Sequence, residues 1–321
     1  MTTALAVDVA GGAEGGAARY RAELYDYLAR TGREDVHVIG VNRRASPAWL
    51  LRRELAAPTR GRRVALNNVG FLAPGGERRT LLRNALHFLT GAEASRLEPS
   101  LRATVQRQAV VVHMAARRSD VLVVPCTAMA ARITQVLPSV RSRIVVRPHP
   151  VSAGSIPTLP RDRVILCPMV VRTYRHMVAR IRELLAVIDE CGDRSVRLLV
   201  TAGRNELPAE VARHPSIELL GQLDLADLSW VWARSRAIYF PTDIESFGYP
   251  LAEARASGHP VIALDTAQNR EIAGSALCGF TLDDPASLRS ATMAALTSEI
   301  MPDPAPFDPD AYFDWLLGPL R

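Results

Sequence analysis

The sequence predicts two α/β domains, each a parallel sheet with helices on both faces, and three observations carry this prediction. Short apolar runs alternate with segments of helical period along the whole chain, which is the pattern of βα units. The segment "PHPVSAGSIPTLP" at 148–160 interrupts this alternation, and its proline, glycine and serine content is typical of a linker. A length of 321 residues suits about two domains.

The first half contains five short apolar runs that read as buried strands. An amphipathic segment at 17–30 follows the first run, and its residues Tyr20, Leu24, Tyr27 and Leu28 share one helical face. The predicted strands lie at 5–9, 36–41, 63–68, 120–125 and 143–148.

After the linker the same pattern starts again. Predicted strands lie near 163–167, 196–201, 217–221, 236–240 and 260–264, and predicted helices near 174–190, 225–234, 250–257 and 284–297. The sequence therefore predicts a first domain at 1–150 and a second at 151–307. The apolar side chains of the last segment, 308–321, need a surface to pack on.

The charged residues are unevenly distributed. The net charge is +6, but residues 1–150 carry 23 arginines against 11 acidic residues, whereas residues 151–321 carry 16 against 22. A basic half suits an anionic substrate or contact with a membrane surface, although arginines scattered over solvated helices would give the same count. We expect no nucleic-acid partner, and the sequence leaves the oligomeric state open.

Composition also excludes some chemistry and some locations. Every basic residue other than histidine is arginine, so no lysine can form a Schiff base or hold a phosphate. No apolar run approaches the roughly 20 residues of a membrane-spanning helix. The N-terminal residues do not have the pattern of a secretory signal, and a cytoplasmic location is expected.

The segment "AIYFPTDIESFGYPLAEARASGHPVIALD" at 237–265 is the most informative part of the chain. A predicted strand ends at Phe240, and a helix is expected to begin at Pro250, a favourable first residue. Glu245 precedes this helix and Glu253 is expected in its first turn, where the helix dipole would stabilise the carboxylate by about 0.3–1 kcal/mol. Such a helix start binds anions, and a carboxylate can accept hydrogens from sugar hydroxyls. Either glutamate could otherwise be an ordinary surface charge.

This segment resembles the signature of the family 4 retaining nucleotide-sugar glycosyltransferases, P-S-x-x-E-G-F-G-L-P-x-L-E-A-M-A-x-G-x-P-V, which contains an E-x7-E pair. The likeness extends over most of 110–297 and more loosely over the first hundred residues. It implies the GT-B architecture: two Rossmann-like domains with parallel sheets facing a central cleft, and a C-terminal helix that crosses back to the first domain.

The resemblance also implies roles for matching residues. Glu253 would hold the ribose hydroxyls of the donor, and Glu245 would contact the donor sugar near the reacting carbon. The glycine pair Gly15 and Gly16 would face the diphosphate and the acceptor, although it could be a tight turn without a ligand. Main-chain amides near the helix start would touch the sugar and the diphosphate; these belong to Phe247, Gly248, Tyr249, Pro250 and Leu251.

One family element is altered in this chain. The family has G-R-x(4)-K after the first strand of the second domain, whereas this chain reads "LCPMVVRTYRH" at 166–176. We therefore expect Arg172, Arg175 or both to stabilise the departing diphosphate, with His176 assisting, at roughly 1.5–3 kcal/mol for each charge-assisted hydrogen bond. Both arginines could instead lie on a solvated helix start.

The acceptor side is less defined. Many relatives have a histidine after a strand of the first domain, and the comparable stretch, "LLRNALHFL", offers Asn84 and His87. His113 and His149 are weaker candidates. The acceptor could be a saccharide, a lipid-linked compound or a secondary metabolite.

These features together predict a retaining glycosyltransferase with a nucleoside-diphosphate sugar as its donor. No D-x-D pair is placed like a metal-binding loop, so neither a metal nor another cofactor is expected. Two alternatives stay open: a sugar-nucleotide hydrolase or epimerase on the same fold, and an inactive binding protein. The nucleotide base, the sugar and the acceptor cannot be read from the sequence.

Overall fold

The computed structural model describes residues 5–12, 15–57, 61–152, 156–157, 159–168 and 176–318. Contacts divide the chain into two compact units. Unit 1 comprises Met1–Pro150, Glu245–Phe247 and Phe307–Arg321, and unit 2 comprises Val151–Ile244 and Gly248–Pro306.

Unit 1 is built on a six-stranded parallel sheet in the order β2-β1-β3-β4-β5-β6. Its strands are β1 (Leu5–Asp8), β2 (Val36–Ile39), β3 (Arg62–Ala65), β4 (Glu77–Leu81), β5 (Val121–Val124) and β6 (Ile144–Val146). Its helices are α1 (Gly15–Thr31), α2 (Pro47–Ala56), α3 (Gly91–Ser95), α4 (Pro99–Arg118), α5 (Thr127–Val136) and α12 (Pro309–Leu317), with a 3₁₀ turn at Ala85–Phe88.

The C-terminal helix α12 packs on α1 through aromatic side chains. Tyr312 and Tyr20 are buried, and their hydroxyls lie 3.1 Å apart. The Tyr27 hydroxyl donates a 2.6 Å hydrogen bond to Asp314 Oδ1, and Phe313 contacts the rings of Tyr20 and Tyr27. The last apolar segment of the sequence therefore has its packing surface within unit 1.

Two arginines bind the carbonyl groups at the end of α12. Arg79 Nη1 donates to the carbonyl oxygens of Trp315 and Leu316 at 2.6 and 2.7 Å, and Arg62 Nη1 donates to that of Leu317 at 2.8 Å. Cations are favourable at a helix C-terminus because the carbonyls there are unsatisfied and the dipole is negative. These bonds fix the end of α12 to β3 and β4.

Unit 2 is built on a second six-stranded parallel sheet, in the order β12-β11-β10-β7-β8-β9. Its strands are β7 (Asp162–Cys167), β8 (Arg197–Val200), β9 (Ile217–Leu219), β10 (Ser235–Phe240), β11 (Val261–Leu264) and β12 (Leu277–Phe280). Its helices are α6 (Met177–Glu190), α7 (Ala209–Ala212), α8 (Leu225–Arg234), α9 (Tyr249–Ser257), α10 (Ala267–Ala273) and α11 (Pro285–Thr297).

Strands β10 and β11 form the apolar centre of unit 2. Ala237 to Phe240 and Val261 to Leu264 are all buried, as expected for strands covered on both faces. No helix in the described residues is long and apolar enough to span a membrane.

Candidate functional site

The glutamate-containing segment follows a central strand of unit 2. From β7 the chain adds β8 and β9 on one side, and β10 begins the other side with β11 and β12. Ligands of open parallel sheets bind outside the carboxyl ends of the strands, at the point where the order of the strands reverses. The turn from β10 into α9 lies at this position.

A glycine makes the tight entry into α9 possible. Gly248 is the N-cap residue with φ +83°, a conformation that L side chains rarely adopt. A Cβ atom there would lie 2.9 Å from Leu251 Cδ1 and 3.1 Å from Phe240 Cε1. Pro250 stands near the start of the helix, where its missing N–H costs nothing. The predicted helix is thus present, one residue longer at its start.

Glu253 lies one position beyond the first turn of α9. The helix begins at Tyr249 and has no acidic residue in its first turn, so the expected place of Glu253 in that turn was wrong. Its distance from the helix start weakens the dipole effect, which falls off within one turn. Glu253 is half-buried, and its carbonyl oxygen accepts a 2.6 Å hydrogen bond from the Ser257 hydroxyl.

Glu245 belongs to unit 1, together with Ser246 and Phe247. Glu245 Oε1 accepts a 2.9 Å hydrogen bond from the Ser246 main-chain N–H. The Cys126 thiol lies 3.4 Å from the Ser246 carbonyl oxygen. Phe247 is buried, with its ring centroid 4.9 Å from that of His149. These contacts fix the three residues and limit the directions that the Glu245 carboxylate can take.

The glycine loop of unit 1 lies between β1 and α1. Gly12 and Gly15 have positive φ angles of 59°, and α1 begins at Gly15, so Gly16 is its second residue. A Cβ atom on Gly12 would lie 2.3 Å from Ala17 Cβ and 3.5 Å from Arg83 Nη2. Residues 13 and 14 lie outside the described part of the chain. Glycine at position 12 is therefore required by close packing, and the Arg83 guanidinium lies beside it.

A buried ion pair supports the carboxyl end of β1. Asp8 and Arg53 are almost fully buried, and Arg53 Nη1 donates to Asp8 Oδ2 at 2.5 Å. Asn67 Nδ2 donates to the same oxygen at 2.9 Å, and Trp49 Nε1 donates to Asp8 Oδ1 at 3.1 Å. The main-chain N–H of Ala10 also donates to Oδ1. This network fixes the strand end from which the glycine loop starts.

Asn84 and His87 lie on the 3₁₀ turn that follows β4. Asn84 Oδ1 accepts a 3.1 Å hydrogen bond from the Leu86 N–H and so caps this turn. His87 is buried, and its Nε2 lies 3.3 Å from Gln108 Oε1. Burial lowers the pKa of His87, which favours the neutral ring. Both side chains take part in local structure, and their role toward an acceptor stays a prediction.

The predicted cation element cannot be placed, because Arg172 and Arg175 lie outside the described residues. His176, the first described residue after them, precedes α6 and has a left-handed backbone with φ 50°. Within the described ranges, no group of three or more histidine, cysteine, aspartate or glutamate side chains is arranged to hold a metal ion.

Sequence reasoning did not single out Arg83, Ser246 or the Asp8–Arg53 pair. Asp8 had a recognisable signal, because a charged residue at the end of an apolar strand needs a partner when it is buried. Ser246 stands where the quoted family pattern has glycine, but its hydrogen-bond partner lies 163 residues away. That separation could not be bridged from the sequence.

One comparison with known proteins matches part of the chain to a family of glycosyltransferases. Residues 166–298 match the model of a family described as "Glycosyl transferases group 1". These residues include β10, α9 and Glu253 as well as Glu245. A comparison with curated proteins found no match.

Solved structures resemble the chain over nearly its whole length. WaaG, described as a glycosyltransferase involved in lipopolysaccharide biosynthesis, has a TM-score of 0.70 at 16% identity, and the alignment covers 98% of this chain and 100% of that chain. Sucrose-phosphate synthase from Thermosynechococcus elongatus has a TM-score of 0.64 at 16% identity, and the alignment covers 98% of this chain and 94% of that chain. An alpha,alpha-trehalose-phosphate synthase (UDP-forming) from Burkholderia vietnamiensis has a TM-score of 0.63 at 11% identity, and the alignment covers 97% of this chain and 93% of that chain.

At these identities the likeness establishes the fold. The chain has the α/β fold class of the GT-B glycosyltransferases, with two parallel six-stranded sheets, and the sequence prediction of this class is confirmed.

Proposed function

We propose that this protein is a glycosyltransferase that moves a sugar from a nucleoside-diphosphate sugar to an acceptor hydroxyl. We propose further that it resembles family 4 in keeping the anomeric configuration and in needing no metal ion. The acceptor is a saccharide, a lipid-linked compound or a secondary metabolite. One of the structural neighbours is named as UDP-forming, so a uridine nucleotide is the first donor to test.

One observation carries this proposal. The segment with the E-x7-E spacing forms the turn from β10 into α9, where the order of strands in the parallel sheet reverses, and it lies inside the range that matches the glycosyltransferase family. A half-buried carboxylate on a helix at that edge suits the hydroxyl groups of a nucleotide ribose. Glu253 is this carboxylate in our proposal.

The other roles follow the family resemblance. Glu245 would contact the donor sugar near the reacting carbon, and the main chain from Phe247 to Leu251 would bind the sugar and the diphosphate. Gly15 and Gly16 would allow close approach of the diphosphate. Asn84 and His87 would contact the acceptor.

The departing diphosphate is the main electrostatic demand of this reaction. Arg172 or Arg175 would take the place of the family lysine, because arginine binds phosphate through two parallel hydrogen bonds. Preorganised donors at a developing charge raise rates by roughly 100- to 1000-fold. The arginine side chain would supply the positive charge, and the start of α9 would supply main-chain N–H donors and the positive end of its dipole. A divalent ion is then not required.

A donor screen tests this function. The purified protein would be incubated with UDP, GDP, ADP and dTDP sugars and a cell extract as acceptor pool, and products would be identified by mass spectrometry. NMR of the glycosidic linkage then reports retention or inversion, and activity in EDTA reports metal dependence. Donor turnover without an acceptor would indicate a hydrolase or epimerase instead. If the protein bound none of the four nucleotides, both the glycosyltransferase and the hydrolase or epimerase would be excluded.

A further inference from the structure

Helix α2 of unit 1 exposes apolar side chains to solvent. Leu51 is 71% exposed and Leu55 is 85% exposed, and Ala48 is exposed as well. These three positions recur at spacings of three and four residues, so they form one stripe along the helix. The residues before α2 are also exposed, including Val41 at 50%.

The opposite face of α2 is fixed to the protein interior. Trp49 packs against a buried apolar cluster that contains Ile39 and Phe71. Arg53 is held by Asp8 through the buried ion pair, and Arg53 Nη2 also donates to the carbonyl oxygens at 69 and 70, each at 2.7 Å. If α2 rotated to bury Leu51 and Leu55, Arg53 would move away from Asp8 and the buried ion pair would break. The apolar stripe is therefore a stable feature of the surface.

The charges that accompany the stripe have one sign. Arg43, Arg44 and Arg52 are exposed. Glu54 is only partly exposed, and its two oxygens accept hydrogen bonds from the main-chain N–H groups of Leu72 and Ala73 at 2.8 and 3.0 Å. Every exposed charged side chain in 41–56 is consequently an arginine.

We propose that this face, defined as Val41, Arg43, Arg44, Leu51, Arg52 and Leu55, docks on the surface of an anionic lipid bilayer. Leucines on one side of a short helix enter the boundary between headgroups and acyl chains, while neighbouring arginines pair with anionic headgroups. Arginine suits this place because its aliphatic stem can lie along apolar surroundings while its head stays at the headgroups.

The pattern of charge favours a bilayer over a second copy of the chain. Two copies that met symmetrically through this face would bring their arginines together, and like charges at close range oppose association. An anionic surface has no such penalty and attracts these arginines. This inference does not depend on the transfer reaction proposed above; it identifies the surface through which the basic half of the chain would contact a membrane.

A second exposed apolar patch supplies a matched control. Leu225 and Trp230 on α8 are 60% and 53% exposed, but Asp224 and Asp227 lie at the start of the same helix. Arg234 lies 4.8 Å from the Trp230 ring centroid but is paired with Asp162, so the charges of this patch are not predominantly basic. Acidic neighbours disfavour an anionic surface, and the patch therefore tests whether exposed apolar area alone is enough.

The experiment is cosedimentation of the intact protein with vesicles. Vesicles of phosphatidylcholine alone would be compared with vesicles that also contain phosphatidylglycerol. Three variants would be measured beside the unmodified protein. The leucine variant carries Leu51→Ser and Leu55→Ser, the arginine variant carries Arg43→Gln, Arg44→Gln and Arg52→Gln, and the α8 control carries Leu225→Ser and Trp230→Ser. Because all these side chains are exposed, the variants should fold, and circular dichroism would verify this.

We expect the unmodified protein to bind the anionic vesicles, with affinity falling as salt increases. The leucine and arginine variants should each bind at least about tenfold more weakly, and the α8 control should bind as the unmodified protein does. Equal binding of all variants, or no binding of the unmodified protein, would overturn the proposal. A dimer lost on substitution of Leu51 and Leu55 would instead show a second copy on this face and would also overturn it.

Discussion

The hydroxyl of Ser246 donates a hydrogen bond of 2.7 Å to the main-chain carbonyl oxygen of Arg83. Both residues belong to unit 1, and Ser246 is buried. Its main-chain N–H holds Glu245 Oε1 at the same time. The side chain of Ser246 therefore fixes the residue whose amide orients the Glu245 carboxylate. Glycine, which the family pattern has here, could not form this bond.

We expect Ser246→Ala to lower kcat of the proposed transfer about two- to tenfold, because one hydrogen bond contributes roughly 0.5–1.5 kcal/mol. The donor KM should stay unchanged if Ser246 acts only on the orientation of Glu245. The control is Ser290→Ala, which removes an exposed helical hydroxyl bonded to its own helix. A lower melting temperature without a change in kcat would leave Ser246 a purely structural role.

The two glutamates should affect the reaction differently. Glu253→Ala should raise the donor KM about tenfold or more, because a carboxylate bonded to ribose hydroxyls contributes roughly 1.5–3 kcal/mol. Glu245→Ala should chiefly lower kcat. Steady-state kinetics with the donor found in the screen measure both effects, and Glu299→Gln, at a carboxylate that is 81% exposed, is the control. Unchanged kinetics for both alanine variants would remove this site assignment.

The buried ion pair should matter for stability. Arg53→Met leaves Asp8 buried without its charged partner, and loss of one member of a buried pair costs about 3–5 kcal/mol. The exposed neighbour Arg52 is the matched control, and Arg52→Met should change stability by less than about 0.5 kcal/mol. Urea unfolding followed by circular dichroism measures both. Equal stability of the two variants would show that Asp8 finds other compensation.

Stability should decrease in acid because of His149. Burial lowers the pKa of His149 from 6.5 to about 3, so the unfolded chain binds a proton between these values while the folded protein does not. The stabilisation is complete above pH 6.5 and is lost as the pH falls toward 3, at up to about 1.4 kcal/mol per pH unit.

His149→Phe should reduce this dependence, because phenylalanine suits the aromatic contacts with Tyr20 and Phe247 and does not titrate. Part of the dependence should persist, since burial also lowers the pKa of His259 to about 4. Thermal unfolding at a series of pH values measures the slope, with substitution of the exposed His37 by asparagine as the control. An unchanged slope in the His149 variant would contradict this prediction.

Loss of Arg79 should release the end of α12. Arg79→Met removes the two hydrogen bonds to the carbonyls of Trp315 and Leu316, together roughly 3 kcal/mol for bonds from a charged donor. Hydrogen exchange should then accelerate in α12. Arg78, whose ion pair with Asp120 is partly exposed, provides the control Arg78→Met. Equal exchange in both variants would show that Arg62 and the aromatic contacts hold α12 without Arg79.

Much of the fold could be predicted because its strands are continuous apolar runs. The run at 260–264 became β11, and the helix predicted at 225–234 became α8. Strand β4, "ERRTL", was not predicted because its letters are mostly polar. Arg79 is nevertheless buried there, because its partners come from Glu77 and from α12, more than 230 residues away.

The site was predictable in part for a related reason. Gly248 and Glu253 are local in the sequence and carry a recognisable pattern, so the turn into α9 followed from it. The bond between Ser246 and Arg83 depends on tertiary structure and has no local signature. The buried pair of Asp8 and Arg53 is similar, since Arg53 reads in the sequence as a surface residue of a basic helix.

Residues Glu245–Phe247 belong to unit 1 although the chain on both sides of them belongs to unit 2. This division matters for the evolution and engineering of the protein. The chain passes between the units after Pro150, after Ile244, after Phe247 and after Pro306. A single genetic crossover can thus never exchange one whole unit for that of a relative. A chimera that keeps both units intact needs four junctions, and the shortest of its inserted pieces is the tripeptide that begins with Glu245.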